Sequence, residues 1–417
     1  MEVSALSPQR SLAAFALVAL IALLGAAGAR LPTHHPSLKK AAARAGTTPR
    51  VVPPDGMHGV AAPAPSKVDK HQGAADAPAA PAPPVGGPAS SSASSSTPAP
   101  HGSPSPTPPP AHSGPFVLGY YVEWAGRGSA SDFAAHSSQL SGIAPLWFSL
   151  HKDASLHLRG PGDIATVSAT AHALGKKVLA LVTNDGQGAI LVHPSLRALA
   201  VQHLVDAVLA DQLDGVNIDF ESIDGTDAQG LDAFVADVSA QLRPRGLLTT
   251  VAVGPRASSN IPVGDQSAAY DYASLGRSAD YLVLMTYDEH GPGTAPGPVA
   301  GIGFVRAVVD YALQEMPAQK ILLGIAAYGY DWGQPGTPTV TAKSALLDPP
   351  GPLTWDQAAE ETHIVSPDHD IWLEDPRSEY VRFLLAKQDD LGGLALWYLG
   401  AEDNGLWQQL STVYGSP

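Results

Sequence analysis

Hydrophobic and polar positions alternate along residues 213–221, which read LDGVNIDFE. The apolar positions of the alternating part are Val216, Ile218 and Phe220, and the polar positions between them are Asn217, Asp219 and Glu221. A period of two is typical of a β-strand and puts the three polar side chains on one face. The pattern predicts a strand with an amide and two carboxyl groups on the same side.

Eight apolar runs typical of β-strands follow one another from residue 116 onwards, and stretches with helical spacing separate most of them. The strand-like runs are residues 117–124, 143–150, 177–184, 215–221, 248–253, 281–288, 321–328 and 394–399. The clearest helical stretches are residues 196–211, 232–242, 305–315 and 378–390. This alternation predicts an α/β fold, a (β/α)8 TIM barrel.

Two further features refine the barrel prediction. An open doubly wound sheet is the alternative, but no Gly-rich phosphate turn follows the first strand. The gap from Asp331 to Gly393 is longer than a simple βα unit needs. We therefore expect an insertion between strands seven and eight, beside the active face.

Asp219 and Glu221 are the first candidates for chemistry. Strands of a parallel barrel are covered on both faces, so the two carboxyl groups would be buried. Each would oppose ionisation of the other and raise one pKa, which is the property a general acid needs. A solvated edge strand with scattered acids is the alternative interpretation. The carboxyl ends of barrel strands are where catalytic residues lie, which favours catalysis here.

Other predicted strand ends carry polar or aromatic residues. They are Met285, Tyr287 and Asp288 at the end of the sixth run and Trp397 in the eighth. A single Trp on a strand is usually a core residue. Together, these side chains predict a cleft with an aromatic floor, and aromatic faces stack on sugar rings. The sequence thus indicates a carbohydrate ligand.

These motifs resemble glycoside hydrolase family 18, the chitinase-like barrels. The string at 213–221 fits that family's strand-four signature, MTYD at 285–288 is similar to its strand-six motif, and Trp397 to its strand-eight Trp. The resemblance covers residues 116–417. The phrases ILLGI at 321–325, YGYDW at 328–332 and WLED at 372–375 are most similar to the spore-cortex and cell-wall branch, which cleaves after N-acetylglucosamine in peptidoglycan.

The resemblance implies a retaining mechanism in which the substrate's N-acetyl group is the nucleophile. Glu221 would be the general acid and then the base, Asp219 would hold the acetamido N–H, and Tyr287 would donate to the acetamido oxygen. Substrate contacts are expected from Asp288, Trp397, Tyr120, Met285, Asn217 and Asn184. Chitin and chitooligosaccharides are the alternative substrates, and a glycan-binding lectin without activity is the alternative function.

Asn217 departs from the Asp that many chitinases carry at this position, although the wall-hydrolase branch shares the Asn. An amide can take up neither a proton nor a negative charge. Asp219 would then have no carboxyl partner with which to share a proton. We therefore expect Asp219 to be a simpler group than in those chitinases, and more permanently ionised.

The N-terminal third has a different character. Residues 11–28 are an uncharged apolar run after Arg10, followed by a small residue at Ala29, which is typical of a signal peptide. The run is also near the minimum length of a membrane span, so residues 1–29 are either a cleaved signal or an N-terminal membrane anchor. Both predict an exported protein, secreted or held at the membrane with the barrel outside the cytoplasm.

Residues 30–114 are dominated by Pro, Ala, Ser and Gly and predict a disordered linker. The linker holds seven basic and three acidic residues, and the chain's formal charge is −15. Since residues 1–29 are neutral overall, residues 115–417, the predicted catalytic barrel, carry −19. Such an acidic domain argues against nucleic-acid binding.

Composition also bears on metals, cofactors and assembly. The chain has no Cys, so disulfides, thiolate metal sites and a cysteine nucleophile are excluded. Six of the fifteen His residues lie in the linker, and His290 and His363 lack partners at ligand spacing. We expect no metal, no cofactor and a monomer, with a polysaccharide containing N-acetylglucosamine as the partner.

Overall fold

The computed structural model describes residues 114–123, 128–159, 163–185, 188–261 and 266–415. The predictions for the signal or anchor at 1–29 and, apart from Gly114, for the linker at 30–114 lie outside these residues. In the described part of the chain, no helix is long and apolar enough to cross a membrane.

The strands of the described residues fall into two sheets. In chain order they are β1 (Phe116–Tyr121), β2 (Gly142–His151), β3 (Leu156–Leu158), β4 (Lys177–Asp185), β5 (Gly215–Asp219), β6 (Leu248–Val253), β7 (Tyr281–Leu284), β8 (Ile321–Ala326), β9 (Tyr328–Asp331), β10 (Thr339–Thr341), β11 (Leu353–Asp356), β12 (Glu361–Ser366), β13 (His369–Leu373) and β14 (Gly393–Trp397).

Eight parallel strands close into a barrel, in the order β1-β14-β8-β7-β6-β5-β4-β2, and β1 pairs with β2 to complete the ring. Each predicted strand run overlaps one of these strands. The (β/α)8 barrel predicted from the sequence is therefore confirmed. The antiparallel strand β3, which forms a hairpin with β2, was not predicted.

Helices follow many of the strands, and most of them connect barrel strands. They are α1 (Gly128–His136), α2 (Ile164–Ala173), α3 (Ala189–Val192), α4 (Pro194–Ala210), α5 (Ala228–Leu242), α6 (Tyr272–Ser278), α7 (Ile302–Glu315), α8 (Ala342–Leu347), α9 (Pro376–Gln388) and α10 (Gly405–Tyr414). The four predicted helical stretches correspond to α4, α5, α7 and α9. The start of α9 carries two features that favour a helix at this point: Asp375 forms a capping box with Ser378, and Pro376 occupies the first turn.

The predicted end of strand four at Glu221 is wrong, because β5 ends at Asp219. The Glu221 N–H donates to the side-chain oxygen of Asn184 on β4 at 2.9 Å instead of to a backbone carbonyl of that strand. Strand six likewise ends at Leu284 and not at Asp288, since the Thr286 N–H donates to the Leu284 carbonyl in a tight turn. In both cases the candidate residues lie just beyond the strand.

The predicted insertion between strands seven and eight is confirmed. It contains an antiparallel sheet in the order β10-β9-β13-β12-β11. The sheet has a small core of its own, formed by Ala342, Ala345, Ile364, Ile371 and Leu373. The chain leaves the barrel at Ala327, so the insertion begins slightly earlier than the sequence predicts.

Candidate active site

A cleft lies at the carboxyl ends of the barrel strands and encloses about 370 Å³, including space open to solvent. Its lining consists of Tyr120, Asp219, Glu221, Met285, Tyr287, Asp288 and Trp397. All seven were candidates from the sequence. They come from four separate strands, so closure of the barrel is what brings them together.

Asp219 is the last residue of β5 and only 6% exposed. Burial raises the pKa of its carboxyl to about 7, and the positive charge of Arg159 opposes the rise. Desolvation therefore raises the pKa of Asp219 although position 217 offers no carboxyl partner with which to share a proton. Its Oδ1 accepts no hydrogen bond from the described residues.

Glu221 follows β5 at the cleft surface. Burial raises its pKa well above the ordinary value, and the nearby Asp219 and Asp288 carboxylates raise it further. Its Oε2 is buried and receives no hydrogen bond from the described residues. An ionised Asp219 therefore favours the protonated form of Glu221, and the pair can supply an acid and an ionised partner.

Two candidates support the cleft without lining it. The Asn217 side chain accepts from the Tyr120 hydroxyl at 3.2 Å and donates to Thr250 Oγ1 at 2.8 Å, and it is fully buried. The Asn184 side chain donates to the Glu221 carbonyl at 2.8 Å and accepts from the Glu221 N–H at 2.9 Å. In the structure these contacts position Tyr120 and Glu221, and the substrate contacts expected from Asn217 and Asn184 stay a prediction.

Asp288 sits at the start of the loop after β7, in a left-handed conformation with φ of 59° that Asp tolerates better than most residues. Its Oδ1 accepts hydrogen bonds from the hydroxyls of Tyr328 at 2.6 Å and Tyr330 at 2.8 Å. Burial raises the pKa of Asp288 to about 6, and these two hydrogen bonds limit the rise. Both tyrosines lie on β9, so the insertion supplies part of the site.

The loop that follows Asp288 is also held by the insertion. The Glu361 carboxylate on β12 accepts from the backbone N–H groups of Val299 at 2.8 Å and Ala300 at 2.9 Å. Glu289, next to Asp288, accepts from the Gly301 N–H at 3.0 Å. These contacts fix both ends of the loop at residues 289–301.

Aromatic rings form the floor. The rings of Tyr120 and Trp397 meet edge to face with centroids 5.1 Å apart, and the peptide bond from Trp397 to Tyr398 is cis. Tyr287 meets Tyr328 edge to face at 6.3 Å. Burial raises the pKa of Tyr287 well above its ordinary value, so its hydroxyl remains a donor at neutral pH.

Several residues of the site were not predicted as site residues. Tyr328 and Tyr330 belong to the phrase YGYDW, which the sequence analysis used only for its resemblance. Tyr270 donates its hydroxyl to the Phe220 carbonyl at 2.8 Å, between the two catalytic candidates. Arg159 follows the unpredicted β3. Nothing local to these residues in the sequence signals their role, since each partner lies 24 or more residues away.

A metal site was not expected, and the described residues contain no group of three His, Cys, Asp or Glu side chains that could hold an ion.

Most of the described part of the chain matches a known protein family. Residues 117–402 match the family described as glycosyl hydrolases family 18. The cortical fragment-lytic enzyme of Bacillus anthracis is 29% identical over 266 residues, which are 59% of this chain and 61% of that protein. The chain thus spans about three fifths of the length of this relative.

Solved structures agree with the fold. The chitinase of Chromobacterium violaceum is 27% identical with a TM-score of 0.66, and the match covers 72% of this chain and 98% of that one. The spore cortex-lytic enzyme SleL of Bacillus cereus is 25% identical with a TM-score of 0.64, covering 71% of this chain and 73% of that one.

Proposed function

Because the chain belongs to glycosyl hydrolases family 18, we propose that it cleaves β-1,4 bonds after N-acetylglucosamine in cell-wall peptidoglycan. Cleavage proceeds with retention of configuration, and the substrate's own N-acetyl group is the nucleophile. The observation that carries this proposal is the pair of buried carboxyl groups, Asp219 and Glu221, which line one cleft and both have raised pKa values.

Glu221 is the general acid of this proposal. Burial and the nearby carboxylates raise its pKa and so favour the protonated form that a general acid needs, and its Oε2 has no hydrogen bond to a described residue. It protonates the glycosidic oxygen as the bond to the anomeric carbon breaks. The resulting carboxylate then takes a proton from the water that opens the intermediate.

The acetamido group of the substrate is positioned by two residues. Its carbonyl oxygen attacks the anomeric carbon and forms a cyclic oxazolinium ion. The Asp219 carboxylate accepts from the acetamido N–H and stabilises the positive charge on the ring. The Tyr287 hydroxyl donates to the acetamido oxygen. No second enzyme carboxylate forms a bond to the sugar.

The remaining lining residues bind the sugar. The indole of Trp397 lies under the ring before the scissile bond, with Tyr120 next to it, as their edge-to-face contact allows. Asp288 accepts a hydrogen bond from a sugar hydroxyl, and Met285 supplies apolar contact. Asn217 and Asn184 act through Tyr120 and Glu221.

Peptidoglycan is favoured as the substrate by the relatives named above, a cortical fragment-lytic enzyme and a spore cortex-lytic enzyme. Chitin is the second candidate, because the matched chitinase is covered over 98% of its length. The two polymers share the N-acetylglucosamine unit that the mechanism requires.

Digestion of both polymers tests the proposal. Purified peptidoglycan and chitin oligomers are incubated with the protein, and the new reducing ends are identified by mass spectrometry. We expect N-acetylglucosamine at the new reducing ends of peptidoglycan fragments. Cleavage of chitin alone would select the second candidate, and new ends at muramic acid would contradict both.

Export follows from the substrate. A wall polymer lies outside the cytoplasm, and the apolar run at residues 11–28 provides a signal or anchor. The protein would act as a monomer on the polymer. Fractionation of cells and N-terminal sequencing of the mature protein test the location and the cleavage after Ala29.

A further inference from the structure

One cation approaches the cleft carboxyl groups from the β2–β3 hairpin. Arg159 directly follows β3 and is half-buried. Its backbone N–H donates to the Trp147 carbonyl at 2.6 Å, which continues the pairing of the hairpin. The backbone that carries this guanidinium is therefore fixed to the barrel.

The side chain of Arg159 reaches the strand next to Asp219. Its Nη1 donates to Thr183 Oγ1 at 2.8 Å. Thr183 on β4 is the register partner of Asp219 on β5. Register partners on neighbouring parallel strands lie about 4.8 Å apart and point to the same face. The hydrogen bond thus ties the guanidinium to Thr183, the residue that neighbours Asp219 on the adjacent strand.

We infer that Arg159 is a positioning residue that decides which cleft carboxyl gives up its proton first: its charge favours an ionised Asp219 while Glu221 keeps its proton. The ionisation order is a property of the free protein. Its catalytic consequence rests on the proposed function.

The two carboxyl groups differ in whether a positive charge acts on them. Arg159 lowers the pKa of Asp219 against the effect of burial. The pKa of Glu221 is raised by burial, by Asp219 and by Asp288, and no cation of the described residues is among the groups acting on it. The positive charge therefore acts selectively on one member of the pair.

The other titratable groups that interact with Asp219 belong to β1 and to the segments that follow β6 and β7. They are the phenols Tyr120, Tyr270 and Tyr287. Burial raises the pKa of each well above its ordinary value, so all three stay neutral and supply no charge. Asn217, two residues before Asp219, is an amide and cannot share a proton.

Asp185, at the end of β4, also acts on Arg159. Burial lowers the pKa of Arg159, and the negative charges of Asp185 and Asp219 oppose this effect. Asp185 Oδ2 also lies 3.1 Å from His151 Nδ1 on β2. These groups keep the guanidinium charged and do not replace it beside Asp219.

A direct test is the ionisation of Asp219 in the free protein, followed by 13C NMR of its carboxyl carbon and assigned with Asp219→Asn. Arg159→Gln keeps a donor for Thr183 but removes the charge, and Arg159→Lys keeps the charge. The matched control is Arg243→Gln, because Arg243 pairs with Asp280 at the amino end of β6.

We expect the Asp219 midpoint to rise by about one pH unit in Arg159→Gln, which is the lower end of the range for loss of an opposite charge. Arg159→Lys should shift it less, and Arg243→Gln should leave it unchanged. In activity, the acidic limb of the pH profile of kcat/KM should move to higher pH by the same amount. The basic limb, set by Glu221, should stay in place.

The outcomes are separable. An unchanged Asp219 midpoint in Arg159→Gln overturns the inference, and a rise in KM for peptidoglycan with that midpoint unchanged would make Arg159 a contact for a substrate carboxylate instead. A shifted midpoint in a protein that hydrolyses neither polymer contradicts only the proposed function. If Arg159→Gln does not fold, Thr183→Val decides, because it removes the hydrogen bond that the guanidinium donates to Thr183: a smaller rise supports the inference and no rise overturns it.

Discussion

Asn184 holds Glu221 by both backbone groups of that residue: its side-chain amide donates to the Glu221 carbonyl at 2.8 Å and accepts from the Glu221 N–H at 2.9 Å. Asn184 lies on β4, whereas Glu221 lies two residues beyond the end of β5. The candidate acid therefore occupies a loop position that is fixed by a rigid strand, which suits a group whose placement sets a reaction rate.

This pairing predicts that Asn184→Ala lowers kcat about 10-fold, because a small displacement of the acid weakens proton transfer. The variant should also lose about 1 to 3 kcal/mol of unfolding free energy, since two backbone groups lose their partner. Steady-state kinetics and urea denaturation measure both. Asn404→Ala is the control, because Asn404 is exposed and its side chain makes no capping bond. An unchanged kcat in Asn184→Ala would show that the contact is not needed for catalysis.

Burial of Asp219 predicts a stability that depends on pH. Its pKa is about 7 in the folded protein and near 3.8 when unfolded. Between these values the folded state binds the extra proton, so the unfolding free energy falls as pH rises. From pH 5 to pH 8 this amounts to about 2 to 3 kcal/mol. Asp219→Asn should lack this part of the fall, as measured by urea denaturation at both pH values. Parallel curves for the two proteins would mean that the folded pKa is not raised.

Substrate assistance predicts inhibition by a thiazoline analogue of N-acetylglucosamine, because this ring imitates the cyclic intermediate. The analogue should compete with substrate in initial-rate measurements. Asp219→Asn should weaken its binding, since the carboxylate that stabilises the ring is gone. Trapping of a covalent glycosyl–enzyme adduct with a fluorosugar would instead reveal an enzyme nucleophile and refute the mechanism.

The barrel and all seven lining residues of the cleft could be predicted from the sequence, because both depend on local patterns. Alternation at 213–221 marked Asp219 and Glu221, and the ends of apolar runs marked Tyr287 and Asp288. At such strand ends the sequence carries the information about the site.

The supporting contacts could not be predicted, because each joins distant segments. Asn184 and Glu221 are 37 positions apart, and Tyr330 and Asp288 are 42 apart. The strand β3, which Arg159 directly follows, is only three residues long. An alternation of hydrophobic and polar positions cannot be recognised over so few residues. The sequence also places the ends of strands four and six too late, because the Glu221 N–H donates to the Asn184 side chain and the Thr286 N–H donates to the Leu284 carbonyl.

The central claim is that Glu221 donates the proton that breaks the glycosidic bond, and the most direct measurement is the turnover of Glu221→Gln. This change keeps the shape of the side chain and removes the acidic proton. Asp310→Asn is the control, because Asp310 is exposed on α7, outside the barrel. We predict that Glu221→Gln loses at least about 100-fold in kcat on the polymer that the wild type cleaves, with binding of oligosaccharide by calorimetry retained. Turnover equal to that of the wild type and of Asp310→Asn would contradict the account.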